Sequence, residues 1–140
     1  MNRPMAKPAK RASRAKPLAA YRTVVNYKTA RFQPYSLQGE VQKDITWCNV
    51  SYDEATGQGL FLVKFAPGGR SIAHEHLDFE EFIILEGDLT DSDGTTYRQG
   101  DVVSLRPGSK HFSTSRKGLT ALTFIRGGFR TLSPREKVSP

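Results

Sequence analysis

His74, His76 and His111 are all the imidazoles in this 140-residue chain. His74 and His76 stand two apart. Along a β-strand, side chains at i and i+2 share a face, so a strand here aims both rings the same way. Turn-compatible residues follow, and then Glu80 opens the next apolar run, where a carboxylate can arrive from a neighbouring strand. His111 comes directly after Pro107-Gly108-Ser109-Lys110, a tight turn that presents a side chain at a sheet end. Three imidazoles and one carboxylate make a ligand set for a single divalent first-row metal ion. Glu81 competes with Glu80, because strand alternation sends only one of them inward. Glu75, between the paired histidines, is expected to point away from them.

These residues need strands to hold them, and from about residue 45 the pattern is β throughout. Expected strands cover 45–50, 59–66, 71–76, 80–86, 95–98, 101–106 and 119–126, all rich in β-branched and aromatic residues. Between them lie turn signals: Pro67-Gly68-Gly69, Gly87-Asp88, Asp93-Gly94, Gly100-Asp101, Pro107-Gly108 and Gly127-Gly128. No stretch after residue 45 has a sustained helical period. Short strands without crossover helices predict an antiparallel sandwich or barrel. The run Phe82–Leu85 is apolar on both parities, which suits a strand enclosed on both faces.

The net charge of +7 is unevenly placed. Residues 1–39 carry nine Lys or Arg and no acid, whereas residues 40–140 carry twelve basic and fourteen acidic side chains. The folded part is therefore faintly acidic and is not expected to bind nucleic acid; only the basic leader offers weak attraction for a polyanion. Residues 1–17 combine like charges and prolines with little to bury, so they read as a disordered tail. A polyanion-binding arm and a targeting peptide are the rival readings. Residues 18–39 hold Tyr21, Val24, Val25, Tyr27, Phe32 and Tyr35, enough for an edge segment. One cysteine, Cys48, excludes an internal disulfide and suits a reducing, cytoplasmic setting; it is expected to be buried as a small hydrophobe. No apolar run approaches the ~20 residues of a membrane span, and no membrane partner is expected.

Two stretches carry a family resemblance. Gly69-Arg70-Ser71-Ile72-Ala73-His74-Glu75-His76-Leu77-Asp78-Phe79-Glu80, with Gly87 beyond it, resembles the first cupin motif. Gly100 through Pro107-Gly108-Ser109-Lys110-His111 resembles the second. The tandem Glu80-Glu81, Leu85-Glu86-Gly87, the Asp91/Asp93-Gly94 turn and Pro107-Gly108-Ser109 are similar to the ChrR-type cupins of anti-sigma factors. The likeness spans roughly residues 42–127. It implies an all-β fold, an antiparallel double-stranded β-helix or jelly-roll barrel. It also implies a mononuclear divalent metal (Zn, Fe(II) or Mn(II)) on His74, His76, Glu80 and His111 inside one open end. The motif spacing to Gly87 favours Glu80 over Glu81. Ser115 stands where the second motif often has asparagine.

The expected organisation is a basic segment over 1–39, a cupin domain over 40–128 and a tail over 129–140. Sheet edges left uncovered make a homodimer an expectation. Trp47 and Tyr97 are read as core, and Arg70 and Arg106 as exposed strand-end charges. A small-molecule ligand in the barrel is the expected partner. The resemblance implies a non-haem dioxygenase acting on a small ketone or diketone, or else a non-enzymatic zinc-binding sensor or regulatory module. The same four ligands serve both: zinc closes a tetrahedron with them, whereas iron or manganese keeps two further positions.

Overall fold

A computed structural model describes residues 13–37, 40–136 and 138. Most of the leader read as disordered, residues 1–12, lies outside the described residues. Beyond it a single 3-10 turn covers Leu18–Tyr21, and strands follow: β1 (Gln33–Leu37), β2 (Glu40–Asn49), β3 (Gly59–Phe65), β4 (His74–His76), β5 (Glu80–Asp91), β6 (Thr96–Arg98), β7 (Val102–Leu105), β8 (Lys110–His111), β9 (Ser113–Thr114), β10 (Leu119–Ile125) and β11 (Phe129–Thr131). Every pairing between them is antiparallel. The larger sheet runs β1-β2-β3-β10-β5-β6, with β7 and β9 also on β5. A smaller sheet runs β11-β4-β8 and carries the histidines.

The core sits between these layers. Phe61, Val63 and Phe65 of β3 alternate inward, against Phe82 and Ile84 of β5 and Ala121 of β10. Burying each large apolar side chain contributes about 1.5–3 kcal/mol, which makes this cluster the main stabilising element. β5 is a central strand between β10 and β7, and the enclosure of both faces expected for Phe82–Leu85 is partial: Phe82 and Ile84 are buried, Ile83 and Leu85 half-buried.

Three strand limits differ from expectation, each for a physical reason. Gly87-Asp88 is not a hairpin turn. β5 continues through it to Asp91, and its register against β10 shifts by one residue at Leu85. That bulge reverses the alternation. Glu80, Phe82 and Ile84 face inward before it, and Leu89 and Asp91 after it. The histidine strand is three residues long rather than six, because Arg70 bridges to Thr114 and Ser71–Ala73 run outside the ladder. The sheet also extends past the boundary drawn at residue 128: β11 pairs along β4, with Phe129 opposite His76 and Thr131 opposite His74. Only three alternating residues, Phe129-Arg130-Thr131, signal that strand, too few for a periodicity. β1 places an edge strand inside the 18–39 segment.

Candidate metal centre

His74 and His111 are direct cross-strand neighbours, because β4 and β8 pair with His74 opposite His111 and Glu75 opposite Lys110. The turn Arg106–Ser109 sets that register. Gly108 N–H donates to the His76 carbonyl at 2.8 Å, and His76 N–H donates to the Ser109 carbonyl at 3.0 Å. Strand alternation puts His76 on the same face as His74. The three Nε2 atoms converge: His74 to His76 at 3.1 Å, and His76 to His111 at 3.0 Å. Glu80, at the start of β5, brings Oε2 to 2.8 Å from His76 Nε2 and 3.8 Å from His111 Nε2.

The tautomers follow from the outer partners. His74 Nδ1 lies 2.7 Å from the Ile72 carbonyl, which can only accept, so Nδ1 carries the proton. His111 Nδ1 lies 3.0 Å from Asp91 Oδ1 and donates to it. Both rings, when neutral, therefore turn a bare Nε2 lone pair to the centre. His76 Nδ1 is buried without a partner among the described residues. A single Nε2–H on His76 can satisfy only one of its three acceptor neighbours. Four acceptor atoms gathered around so few protons are what a cation requires. His74, His76 and His111 are positioned to bind a metal ion.

The electrostatics agree with that reading. Burial, and then the charges of His111 and His76, push the His74 pKa down to about 4. Burial alone would raise the Glu80 carboxyl, but His76 beside it outweighs this and holds it below its ordinary value. His111 moves up: burial opposes its protonation, and the hydrogen bond to Asp91 overcomes that. Asp91 moves down, burial notwithstanding, because His111 and Ser113 both donate to it.

The competing carboxylates turn elsewhere. Glu81 pairs with Arg126 at 2.9 Å, and Glu75 pairs with Arg130 of β11. Arg70 is stacked on Phe112, its guanidinium 3.7 Å from the ring centre, and Arg106 is exposed. Cys48 is half-buried rather than buried. Ser115 is 1% exposed and donates to Asp88.

Asp91 is the residue that sequence reasoning missed. It receives His111 Nδ1–H, the Ser113 hydroxyl at 2.6 Å and the Tyr97 hydroxyl at 2.8 Å. In the sequence it is only part of a turn motif. Its parity is wrong for an inward position unless a bulge precedes it. Tyr97, read as core, packs edge-on against Phe82 and is also this anchor.

A cavity of about 80 Å³ opens onto the cluster, walled by Phe61, Phe82, Leu119 and Ile125 among others. It exceeds the roughly 10–15 Å³ that a single water needs and is the size of a compact ligand's site. Apart from the histidines and Glu80, no residue lining it carries a charge. A larger open cleft, of about 430 Å³, shares Tyr35 and Phe129 with it, so these two rings stand between cavity and surroundings.

The family model described as the ChrR cupin-like domain matches residues 21–129. The chain belongs to that family. The cupin barrel is also similar to solved structures. Acetylacetone dioxygenase from Acinetobacter johnsonii aligns over 97% of this chain and 90% of its own, at 14% identity and a TM-score of 0.67. An RmlC-like cupin from Ralstonia eutropha JMP134 aligns over 84% and 76%, at 14% identity and 0.66. The polyketide cyclase RemF from Streptomyces resistomycificus aligns over 82% and 88%, at 18% identity and 0.65. At these identities the likeness is one of fold. No protein of curated function matches this cupin. No helix among the described residues is long and apolar enough to cross a membrane.

Proposed function

We propose that this cupin holds one divalent metal ion on His74, His76, His111 and Glu80, and that it is a metal-dependent oxygenase of small carbonyl compounds. The observation that carries the metal site is the convergence of Nε2 lone pairs. Two imidazoles have their only N–H committed outward, and both point the other nitrogen at a point shared with Glu80.

Zinc would close a tetrahedron with these four residues, whereas iron or manganese would keep two further positions for a ligand.

When bound, such a metal supplies Lewis-acid polarisation of a ligand oxygen and, as iron or manganese, the means to use dioxygen. The chain's own residues do the rest. Asp91 keeps His111 in the one tautomer that can ligate. Glu80 brings the negative charge that offsets a dication. The apolar wall excludes water and shapes a space for a compact molecule. The fold likeness to an acetylacetone dioxygenase supports a small ketone or diketone as substrate. Elemental analysis of protein purified without added metal is the test of the site. Iron or manganese near one per chain, with oxygen uptake on 2,4-pentanedione, is the expected result; absence of metal refutes it.

A second reading rests on the family match itself: a zinc-holding sensor or regulatory module of the ChrR kind. Zinc at unit stoichiometry, without turnover of any small ketone, favours that reading. A cytoplasmic setting is common to both.

A further inference from the structure

Gln42 is an uncharged polar side chain among the residues that line the cavity. It is 6% exposed and lines the cavity. Ile45, three residues on, also faces inward. A regular strand cannot bury both. The chain manages it at Asp44, which takes a φ of +66°, a conformation that non-glycine residues rarely adopt. β2 thus accepts a strained residue where it turns Gln42 toward the cavity.

The orientation of the amide is fixed chemically. Gln42 Oε1 accepts the Ile72 N–H at 2.8 Å, and a backbone N–H needs an acceptor, so the amide cannot be reversed. Its Nε2–H2 then has no partner among the described residues. The Ile72 carbonyl in turn holds His74 Nδ1, so the backbone of one residue links Gln42 to the histidine cluster.

Tyr35 stands in a similar position. It lies where β1 loses register with β2, between Pro34 and Ser36. Its ring is stacked on Phe61 and meets Trp47 edge-on, with centroids 6.2 and 5.5 Å apart. It lines the cavity, and its hydroxyl has no partner among the described residues. Burial is the larger reason, and the Glu80 charge the next, that its pKa is raised, so it stays a neutral donor.

We propose that Gln42 and Tyr35 position the ligand of this cavity, the Gln42 Nε2–H2 and the Tyr35 hydroxyl donating to an oxygen of an uncharged, compact carbonyl compound. This rests on the proposed metal site for the other end of that ligand. The small cavity suits a compact compound. A ligand that offers only donors leaves both groups unpaired and is rejected.

The test uses the full chain loaded with zinc and titrated with 2,4-pentanedione, followed by calorimetry and by side-chain amide NMR of 15N-glutamine. The Gln42 amide resonances should move with occupancy. Gln42→Glu keeps an oxygen for Ile72 but exchanges the donor for an acceptor, and should raise Kd by about tenfold or more. Tyr35→Phe should raise it by about threefold to tenfold, with zinc stoichiometry unchanged in both. Pentanedione that does not bind, or that binds without moving the Gln42 amide, or whose Kd neither variant changes, overturns the inference while unit zinc leaves the metal site standing. If zinc does not bind, the metal site fails and the titration is repeated on the metal-free chain. A moving Gln42 resonance then still supports the pair, and a still one overturns it. If Gln42→Glu does not fold, Tyr35→Phe and the wild-type amide decide.

Discussion

Glu80 and Asp91, the first and last residues of β5, reach the same imidazole from opposite sides. Glu80 Oε2 is 3.8 Å from His111 Nε2, and Asp91 Oδ1 is 3.0 Å from His111 Nδ1. A straight strand of that length would hold its ends about 36 Å apart. β5 therefore curls around His111, and the bulge at Leu85 turns its two halves to the same interior. Closing the barrel and building the site are one event in this strand.

Asp91 is accordingly a positioning residue. Asp91→Ala should lower metal affinity by about 10–100-fold, because His111 loses the partner that fixes its tautomer. Asp91→Asn keeps one accepting oxygen and should recover part of that loss. Competition titration against a chelator reads both. Equal affinity in all three proteins would separate Asp91 from the metal site.

The histidine strand offers a paired comparison. His76→Ala should abolish metal binding, since His76 Nε2 touches the other two imidazoles and Glu80. Glu75→Ala should leave metal content unchanged and cost less than about 1 kcal/mol, because it removes only a partly exposed ion pair with Arg130. Elemental analysis and urea unfolding distinguish the two.

Acid should weaken the metal-free fold. His74 titrates near pH 4 in the folded chain, against an ordinary value of 6.5. Between those values the unfolded chain binds a proton that the folded chain refuses, so stability falls as pH drops through that window. The full difference is roughly 3 kcal/mol. His111 acts with the opposite sign. Its raised pKa gives stability that is present in acid and is lost as pH rises through that value, so the net fall is smaller. Urea midpoints in chelator, from pH 7 to pH 4, should decline, and His74→Gln should flatten the decline. A midpoint that holds steady in the native chain refutes the assignment.

Gly87 and Gly94 both have positive φ, +82° and +88°, yet they should respond differently. A Cβ at Gly87 would run into the Gly118 carbonyl oxygen, whereas one at Gly94 meets nothing within 4 Å. Gly87→Ala should cost more than about 3 kcal/mol, and Gly94→Ala about 1 kcal/mol. Thermal melts should separate them by several degrees, on the order of 2–4 °C per kcal/mol.

The sequence made some of this legible and hid the rest for definite reasons. Two-residue spacing put His74 and His76 on one face, and a turn before His111 delivered it to a sheet end. Those are local rules, and the structure follows them. Gly87-Asp88 looks like a turn in the sequence because a positive-φ glycine serves equally in a turn and beside a bulge; only the partner strand β10 tells them apart. Asp91 and Gln42 escaped notice for a related reason. Each faces inward because of an irregularity earlier or later in its own strand, at Leu85 and at Asp44, and alternation counted from the sequence assigns them the wrong side. β11 was too short to show a period.

That short strand has a further consequence. The ribosome makes all four candidate ligands before it makes Phe129–Thr131, yet the strand bearing His74 and His76 gains its second neighbour only from those three residues. A chain without those three residues should therefore hold His74 and His76 on a strand with β8 alone beside it, and without the Phe129 ring that meets His74 edge-on.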